Sequence, residues 1–287
     1  MGGRSFSQKM KEYKRSPLSG LLFLLVCLSA LITVTVLVFL IIYILYNGIP
    51  NLTMPGLFDW EYNSQNVSMM SAIINTVIMT ALSLLLAVPL GVFSAIYLVE
   101  YARRGNKLVK VVRITAETLS GIPSIVYGLF GYVLFVLTLD WGYTLLSGAI
   151  TLAIMILPLI MRTTEEALIS VPDSFREGSF GLGAGRLRTV FKIVLPSAVP
   201  GILAGVILAI GRIVGESAAL IFTAGTNPVV PDSLFASTRT LSVHMYALMN
   251  EGLYTDQAYA TAVVLLAVVI LINALSGVAA KKLASKR

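Results

Sequence analysis

The sequence predicts an all-α protein that crosses a membrane six times, and its composition and apolar runs support this fold class. Of the 287 residues, 57% are hydrophobic and 12% are charged, with a mean hydropathy of +0.87. Soluble globular proteins carry about 25% charged residues. Apolar runs of about 20 residues are long enough to span a bilayer as helices. Six such runs occur, at residues 18–46, 69–98, 118–139, 142–161, 199–225 and 258–280.

The distribution of positive charge predicts the orientation of these helices. Nineteen of the 21 Lys and Arg residues fall on one side of the six-helix arrangement, after the even-numbered helices or before the first. The exceptions are Arg212, within the fifth run, and Arg239, beyond it. Because Lys and Arg accumulate in cytoplasmic loops, both termini are predicted to be cytoplasmic, with the chain in the cytoplasmic (inner) membrane. The net charge of +7 therefore reflects topology, and no nucleic-acid partner is predicted.

The first apolar run follows the basic segment KMKEYKR, as the core of a signal peptide would. It is too long for such a core and lacks a clear small-residue cleavage site. We therefore expect a retained membrane helix. Residues 1–17 are then a cytoplasmic N-terminal segment, and residues 18–287 form one transmembrane domain in contact with membrane lipid.

Cysteine and histidine are too scarce for a disulfide or a metal cluster. The chain has one cysteine, Cys27, and one histidine, His244, so neither an intrachain disulfide nor a metal site is predicted. His244 lies in residues 226–257, where the apolar spacing predicts a short surface helix. We expect its side chain to be solvated or locally paired, and we predict no catalytic residue and no bound cofactor.

Prolines interrupt three of the predicted membrane helices, at Pro89, Pro123 and Pro158. A proline removes one backbone hydrogen bond of a helix, which neighbouring helices in a membrane can compensate. Kinks are therefore predicted at these positions.

The fifth run contains an arginine and a glutamate within the stretch AIGRIVGESAAL, at Arg212 and Glu216. At 100° per residue, both fall on the helix face that carries Gly201 and Gly205, and such small residues allow close helix packing. A charged side chain at the bilayer centre costs about 2.5–3.5 kcal/mol, but a spacing of four residues allows mutual neutralisation. Two interpretations stay open: a buried ion pair that sets helix register, or a cation that meets an anionic substrate in a water-filled path.

The segment at residues 163–198 has too much helical patterning for a passive linker. A helix start is predicted after Pro172, and Phe175, Phe180 and Leu182 could form an exposed apolar face. The pattern alone is compatible with a docking element for a partner and equally with a loop that lies on the lipid surface.

One multi-point motif in this segment resembles the EAA loop of ATP-binding-cassette (ABC) importer permeases. That pattern is E-A-A, three residues, G, nine residues and I-x-L-P. Here the matching residues are Glu177, Gly178, Ser179, Gly183, Ile193, Leu195 and Pro196. Gly178 and Ser179 stand where the family favours two alanines, and both are small.

Three further stretches resemble the permeases of the phosphate-specific (Pst) importers, most nearly the PstA type. They are ETLSGIPSIVYGLFG at 117–131, EEALISVP at 165–172 and GRIVGESAALIFTAG at 211–225. The resemblance implies the type I ABC importer permease fold and half of a phosphate path, shared with a second, PstC-like permease. It also implies an extracytoplasmic phosphate-binding protein and an ATPase dimer that docks on residues 173–184.

The resemblance places ATP and Mg on the partner ATPase. The chain itself lacks a G-x-x-x-x-G-K-[ST] phosphate-binding loop, so it is not predicted to be an enzyme. Gly183 would permit the turn of the coupling segment, and Ile193, Leu195 and Pro196 would anchor its return to the membrane.

Phosphate as substrate would give the polar residues specific roles. Arg212 can offer a fork of donors to phosphate oxygens. Glu216 could hold Arg212 in place, or accept a hydrogen bond from the P–OH group that sulfate lacks. Arg162 is a second candidate, either on the exit route or as a positive-inside anchor.

Other transport functions remain open. One alternative is an ABC permease for another oxyanion, such as molybdate or sulfate. Another is a protein outside the ABC class, either a secondary transporter or a membrane assembly factor. A secondary transporter is disfavoured because no clear internal repeat is present and Glu216 is the one acid predicted at mid-membrane.

Overall fold

A computed structural model describes residues 17–63, 65–103 and 105–285, and this part of the chain is helical without a β-strand. Most of the predicted segment 1–17, together with Arg104, Lys286 and Arg287, lies outside the described residues. The helices are α1 (Pro17–Gly48), α2 (Met70–Ile96), α3 (Lys107–Ser120), α4 (Ser124–Gly131), α5 (Leu145–Ile169), α6 (Asp173–Gly181), α7 (Arg186–Thr189), α8 (Leu195–Val214), α9 (Ala218–Thr223), α10 (Leu241–Glu251) and α11 (Thr255–Ser285).

Short helical segments of different pitch extend several of these helices. A 3₁₀ helix at Ile49–Thr53 follows α1. Three π-helical segments follow α2, α4 and α7, at Tyr97–Tyr101, Tyr132–Thr138 and Val190–Val194.

The number of membrane crossings agrees with the prediction of six. Within the described residues, five helical stretches are long and apolar enough to cross a membrane. A sixth crossing results if α3 and α4, which meet at an angle of 102°, form one broken span.

The third predicted span, residues 118–139, is not one continuous helix. The chain leaves α3 at Gly121 and begins α4 after Pro123. Proline has no backbone N–H and disfavours helical geometry at the preceding residue, so the break falls here. The hydroxyl of Tyr127 donates to the carbonyl of Leu119 at 2.8 Å and ties the two arms together. Pro89 and Pro158, by contrast, lie inside uninterrupted helices.

The fifth predicted span, residues 199–225, is also wrong as one helix. Helix α8 ends at Val214, Gly215 caps it, and α9 begins at Ala218. Helices α4 and α9, which follow the two breaks, pack against each other. A Cβ at Gly128 of α4 would lie 2.8 Å from the Cα of Ala219, so glycine is required for this contact.

Helix α5 forms the centre of the core and packs against α2, α8 and α9. Its buried face combines large apolar side chains such as Leu152 and Ile156 with small polar ones such as Thr151. The Thr151 hydroxyl donates to the carbonyl of Ser147 at 2.7 Å, so this buried polar group is satisfied within its own helix.

Helix α1 stands outside this core, and its apolar side chains are almost all exposed. It contacts α11 near its C-terminal end, where a Cβ at Gly48 would lie 2.5 Å from the Val263 side chain. The hydroxyls of Tyr43 and Tyr259 meet at 3.4 Å. An apolar surface of this extent fits lipid or another membrane subunit.

Candidate functional site

The segment between α5 and α8 is a compact helical turn. Helix α5 continues through Ile169 and α8 begins at Leu195, so the segment between them, residues 170–194, is shorter than the predicted 163–198. Gly183 has a φ of +82°, and its N–H donates to Phe180, while the N–H of Ala184 donates to Ser179. These two bonds form a Schellman cap, which favours glycine at this position. The predicted turn at Gly183 is confirmed.

The other motif residues lie on different sides of the turn. Ser179 is buried, and its hydroxyl contacts that of Thr189 at 2.8 Å, joining α6 to α7. Glu177 and Gly178 face solvent. The small size of residue 179 is therefore explained by packing within the turn.

An apolar surface points away from the rest of the chain, as predicted. Phe175 and Phe180 on α6 are exposed, and Leu182 at its end is 91% exposed. Large apolar side chains held out on a rigid helical turn are typical of a protein–protein contact site. The arrangement fits docking to a partner.

The chain runs from α7 back towards the membrane through the π-helical segment Val190–Val194, which ends two residues before Pro196. Pro196 lies in the first turn of α8, where a proline is tolerated because its missing N–H would have no partner within the helix. Leu195 packs against a buried cluster that includes Val190 and Val194, whereas Ile193 and Pro196 are half-buried.

Arg176 anchors α6 to the membrane helices, and sequence reasoning missed this residue. Its Nε and Nη2 both donate to Oε1 of Glu100, at 3.1 and 2.7 Å. Its guanidinium also donates to the carbonyls of Leu168 and Val171, at 2.9 and 2.8 Å. Both charged side chains are largely buried, at 15% and 9% exposure. One arginine thus connects the end of α2, the end of α5 and the coupling helix.

Arg212 lies on α8, half-buried, two residues before the helix ends. It forms no ion pair or hydrogen bond with any residue in the described part of the chain. It lies within electrostatic range of Tyr127 on α4. This guanidinium therefore lies two residues before the break at the end of α8 and within electrostatic range of α4, the helix that follows the other break.

Glu216 lies beyond the end of α8, so the expectation that it shares a helix face with Arg212 is wrong. The described residues show no ion pair between the two side chains, which disfavours the interpretation of a buried pair that sets helix register. The Glu216 carboxylate accepts a hydrogen bond from the N–H of Ala219 at 3.0 Å and so caps α9. Its carbonyl accepts one from the hydroxyl of Ser242 at 2.5 Å. A negative charge at a helix N-terminus is favoured by the helix dipole. Glu216 is 8% exposed and stabilises the break itself.

The glycines of α8 divide into two groups. Cβ atoms at Gly201 and Gly205 would lie 2.7 and 2.6 Å from the Cβ atoms of Ala167 and Thr163 on α5, so these two permit close packing as predicted. A Cβ at Gly211, one residue before Arg212, would meet no atom of another described element within 4 Å.

Arg162 is exposed on α5, and its Nε donates to Oε1 of Glu166, one turn on, at 3.1 Å. It lines a small cavity of about 310 Å³ together with Arg113 and Glu117. Gly205 packs beside Thr163, and Arg212 lies seven residues further along α8, so the levels of Arg162 and Arg212 differ by about 10 Å. The structure does not bring these two arginines together.

A buried polar cluster lies on the opposite side from the coupling segment. Arg239 is 4% exposed, and its guanidinium lies 4.7 Å from the ring centre of Tyr62. His244 is fully buried, and neither of its ring nitrogens has a hydrogen-bond partner among the described residues. The predicted helix is present as α10, but a solvated His244 is excluded, because α10 buries one face against the rest of the chain. The imidazole ring instead meets the Tyr62 ring edge-on, at 6.3 Å between ring centres.

The pKa of His244 is lowered to about 3, first because burial disfavours the charged imidazole and second because Arg239 is close. His244 is therefore neutral at physiological pH. In the described residues, no group of His, Cys, Asp and Glu side chains could hold a metal ion.

Comparison with known proteins places this architecture in a family. The family model for the binding-protein-dependent transport system inner membrane component matches residues 87–287. The probable ABC transporter permease protein YqgI of Bacillus subtilis is 36% identical over 249 residues, which cover 80% of this chain and 82% of YqgI.

Phosphate transport permeases are among the relatives. The phosphate transport system permease protein PstA of Mycobacterium leprae is 32% identical over 270 residues, covering 90% of this chain and 87% of that protein. PstA of Pasteurella multocida is 35% identical over 207 residues, covering 71% of this chain and 73% of that protein.

Solved ABC transporters share the fold at low sequence identity. A chain of a bacterial alginate ABC transporter aligns with a TM-score of 0.62 at 20% identity, covering 93% of this chain and 94% of that one. A chain of the MetNI methionine ABC transporter, in an inward-facing conformation, aligns with a TM-score of 0.58 at 19% identity, covering 75% and 94%. The chain therefore belongs to the family of binding-protein-dependent transport system inner membrane components, as a multi-pass permease subunit of an ABC importer with the type I fold.

Proposed function

We propose that this permease subunit carries inorganic phosphate, with Arg212 as a contact on the path. The observation that carries the proposal is the half-buried guanidinium of Arg212, which has no ion-pair or hydrogen-bond partner among the described residues and lies two residues before the break at the end of α8. Discontinuous helices near the middle of a membrane protein commonly mark a substrate site. A guanidinium left without a protein partner can form bidentate hydrogen bonds with an oxyanion.

Relatives support phosphate over other oxyanions. The PstA proteins of Mycobacterium leprae and Pasteurella multocida are phosphate transport permeases by name, at 32% and 35% identity to this chain. The solved neighbours, from methionine and alginate transporters, are too distant in sequence to bear on substrate.

The proposed assembly contains a PstC-like second permease, an ATPase dimer and an extracytoplasmic phosphate-binding protein. The exposed apolar residues Phe175, Phe180 and Leu182 supply the surface on which an ATPase subunit would dock. ATP and Mg would be bound by that ATPase, whose closure would displace α6.

The connection from α6 to the path runs through buried contacts. Arg176 joins α6 to the ends of α2 and α5. Helix α5 packs closely against α8 through Gly201 and Gly205, and α8 carries Arg212. A displacement of α6 would therefore move the helices that position Arg212.

Uptake competition tests the substrate. A phosphate-starved host that lacks this chain but keeps its own partner subunits is complemented with the wild-type chain, and uptake of radiolabelled phosphate is measured. We expect uptake to be restored and to be inhibited by excess unlabelled phosphate, with no inhibition by sulfate or molybdate. If the chain binds the ATPase but phosphate uptake is not restored, the proposal is overturned. Inhibition of phosphate uptake by sulfate or molybdate would indicate the alternative substrate.

A further inference from the structure

A large cavity opens beside the coupling helix on the face that the charge distribution predicts to be cytoplasmic. Its volume is about 940 Å³, and it lies between the end of α2, helix α3 and helix α6. Its basic lining residues are Arg103, Lys107, Lys110, Arg113, Arg176 and Arg186. The acidic ones are Glu100, Glu117 and Asp173.

Half of the basic side chains already have a partner. Arg176 is bound by Glu100, Arg113 pairs with Glu165, and the Arg186 guanidinium lies 5.9 Å from the ring centre of Tyr101.

The other three basic side chains have no counter-charge among the described residues. Arg103, Lys107 and Lys110 form no ion pair in the part of the chain that the structure describes. Lys107 and Lys110 lie in the first turn of α3 and Arg103 lies in the loop just before it, so the excess positive charge is concentrated on one wall of the cavity.

Helix α3 is amphipathic, and its other side is apolar and exposed. Leu108, Val111 and Val112 project from that side, whereas Lys110 and Arg113 face the cavity. Because α3 meets α4 at 102°, α3 is the interfacial arm of this broken span, and α4 with its π-helical extension is the crossing arm. A basic amphipathic helix in this setting lies in the membrane interface with its apolar side among the acyl chains.

We propose that this cavity binds the phosphate headgroup of an anionic phospholipid from the adjacent leaflet. Lys107 and Lys110 neutralise the headgroup, and basic pockets of this kind beside membrane helices are suited to anionic lipids. The cavity is also bordered by the apolar residues Leu98, Val99 and Ile114. A phospholipid fits this lining better than a free anion does, because its acyl chains can contact the apolar residues while its headgroup contacts the basic ones. The site is independent of which substrate the permease carries.

The bound headgroup has a consequence for coupling. It touches α3 on one wall and lies beside Asp173 and Phe180 of the coupling helix on the other. Occupancy therefore holds α6 in the orientation set by Arg176, and anionic lipid increases the transport-linked ATPase rate of the assembled importer.

The test uses the assembled importer, purified with its partner permease and ATPase. Lipids retained through detergent exchange are identified by native mass spectrometry, and the ATPase rate is measured in nanodiscs of phosphatidylcholine with or without phosphatidylglycerol. The variant is Lys107→Gln with Lys110→Gln. The control is Arg188→Gln with Lys192→Gln, an exposed basic pair outside the cavity lining.

We expect the wild type and the control to retain phosphatidylglycerol and to be activated by it. The cavity variant should retain about tenfold less, since each basic residue near an anionic surface contributes to lipid affinity, and should lose the activation. Lys107→Arg with Lys110→Arg should restore both properties, which distinguishes lost charge from misfolding. Equal retention by the cavity variant and the control would overturn the proposal, as would displacement of the lipid by inorganic phosphate, which would indicate a soluble-anion site.

Discussion

Arg176 and Arg239 are both largely buried, but their guanidinium groups differ in hydrogen bonding. The Nε and Nη2 edge of Arg176 is filled by the carboxylate of Glu100. The same edge of Arg239 is buried with no hydrogen-bond partner among the described residues, and the Tyr62 ring lies beside the guanidinium. A buried charge that loses its partner is strongly destabilising, so the first arginine depends on Glu100 in a way that can be measured.

Glu100→Gln should lower the free energy of unfolding by about 3 kcal/mol, because it removes the buried carboxylate and leaves the largely buried Arg176 with only the exposed carboxylate of Asp173, at 3.2 Å, as counter-charge. The matched control is Glu166→Gln, which removes the carboxylate from the exposed pair with Arg162. That change should cost less than about 1 kcal/mol, because solvent screens exposed ion pairs. Denaturant unfolding in detergent measures both values, and equal losses would contradict the assigned role of Arg176.

His244 should make the stability of the protein depend on pH. Its pKa is about 3 in the folded chain and about 6.5 when unfolded, so below pH 6.5 the unfolded chain binds more protons. Stability is therefore fully present above pH 6.5 and is lost as pH falls towards 3. Between pH 7 and pH 5 the loss should be about 2 kcal/mol. Unfolding at both pH values should show a smaller loss in His244→Gln; an unchanged pH dependence would exclude His244 as its source.

At the scale of helices, the close packing of α8 on α5 depends on Gly201 and Gly205 and not on Gly211. Gly205→Ala would bring its Cβ to 2.6 Å from that of Thr163, and such overpacking costs about 1–3 kcal/mol. Gly211→Ala meets no neighbour within 4 Å and should be neutral or stabilise the helix by up to about 1 kcal/mol. Thermal unfolding of the two variants in the same detergent compares them directly. A similar effect of both would contradict the packing described for α8.

The apolar end of α6 should determine binding to the ATPase. Leu182→Asp places a charge where an apolar contact is expected and should reduce co-purification of the ATPase about tenfold or more, as loss of a central contact residue does. Leu253→Asp is the control, since that side chain is 81% exposed on the opposite side of the membrane span. Membrane abundance of both variants is measured alongside. Unchanged co-purification of Leu182→Asp would place the docking surface elsewhere.

At the scale of the whole molecule, the number of crossings and the coupling turn could be predicted because they depend on local properties. Hydropathy over about 20 residues determines whether a helix can span a bilayer. The turn at Gly183 requires a positive φ, which glycine adopts readily. The exposed Phe175 and Leu182 follow from the short amphipathic helix that contains them.

The features that the sequence did not predict depend on tertiary contacts or on local helix caps, which an apolar pattern does not reveal. Hydropathy cannot reveal the break after Val214, because both sides of it are apolar, although Glu216 three residues before Ala219 was a possible capping signal. The Glu100–Arg176 contact joins residues 76 positions apart. The burial of His244 likewise depends on packing of α10 that no local pattern contains.

The most direct test of the central claim is radiolabelled phosphate uptake by Arg212→Gln in the starved host that lacks this chain. Arg188→Gln serves as the exposed-arginine control, and membrane abundance and ATPase co-purification are matched to the wild type. The account predicts that Arg212→Gln loses uptake by about a hundredfold, because a charge-assisted bidentate contact with the anion is removed. Wild-type uptake by Arg212→Gln at equal abundance would contradict the claim that Arg212 lies on the phosphate path.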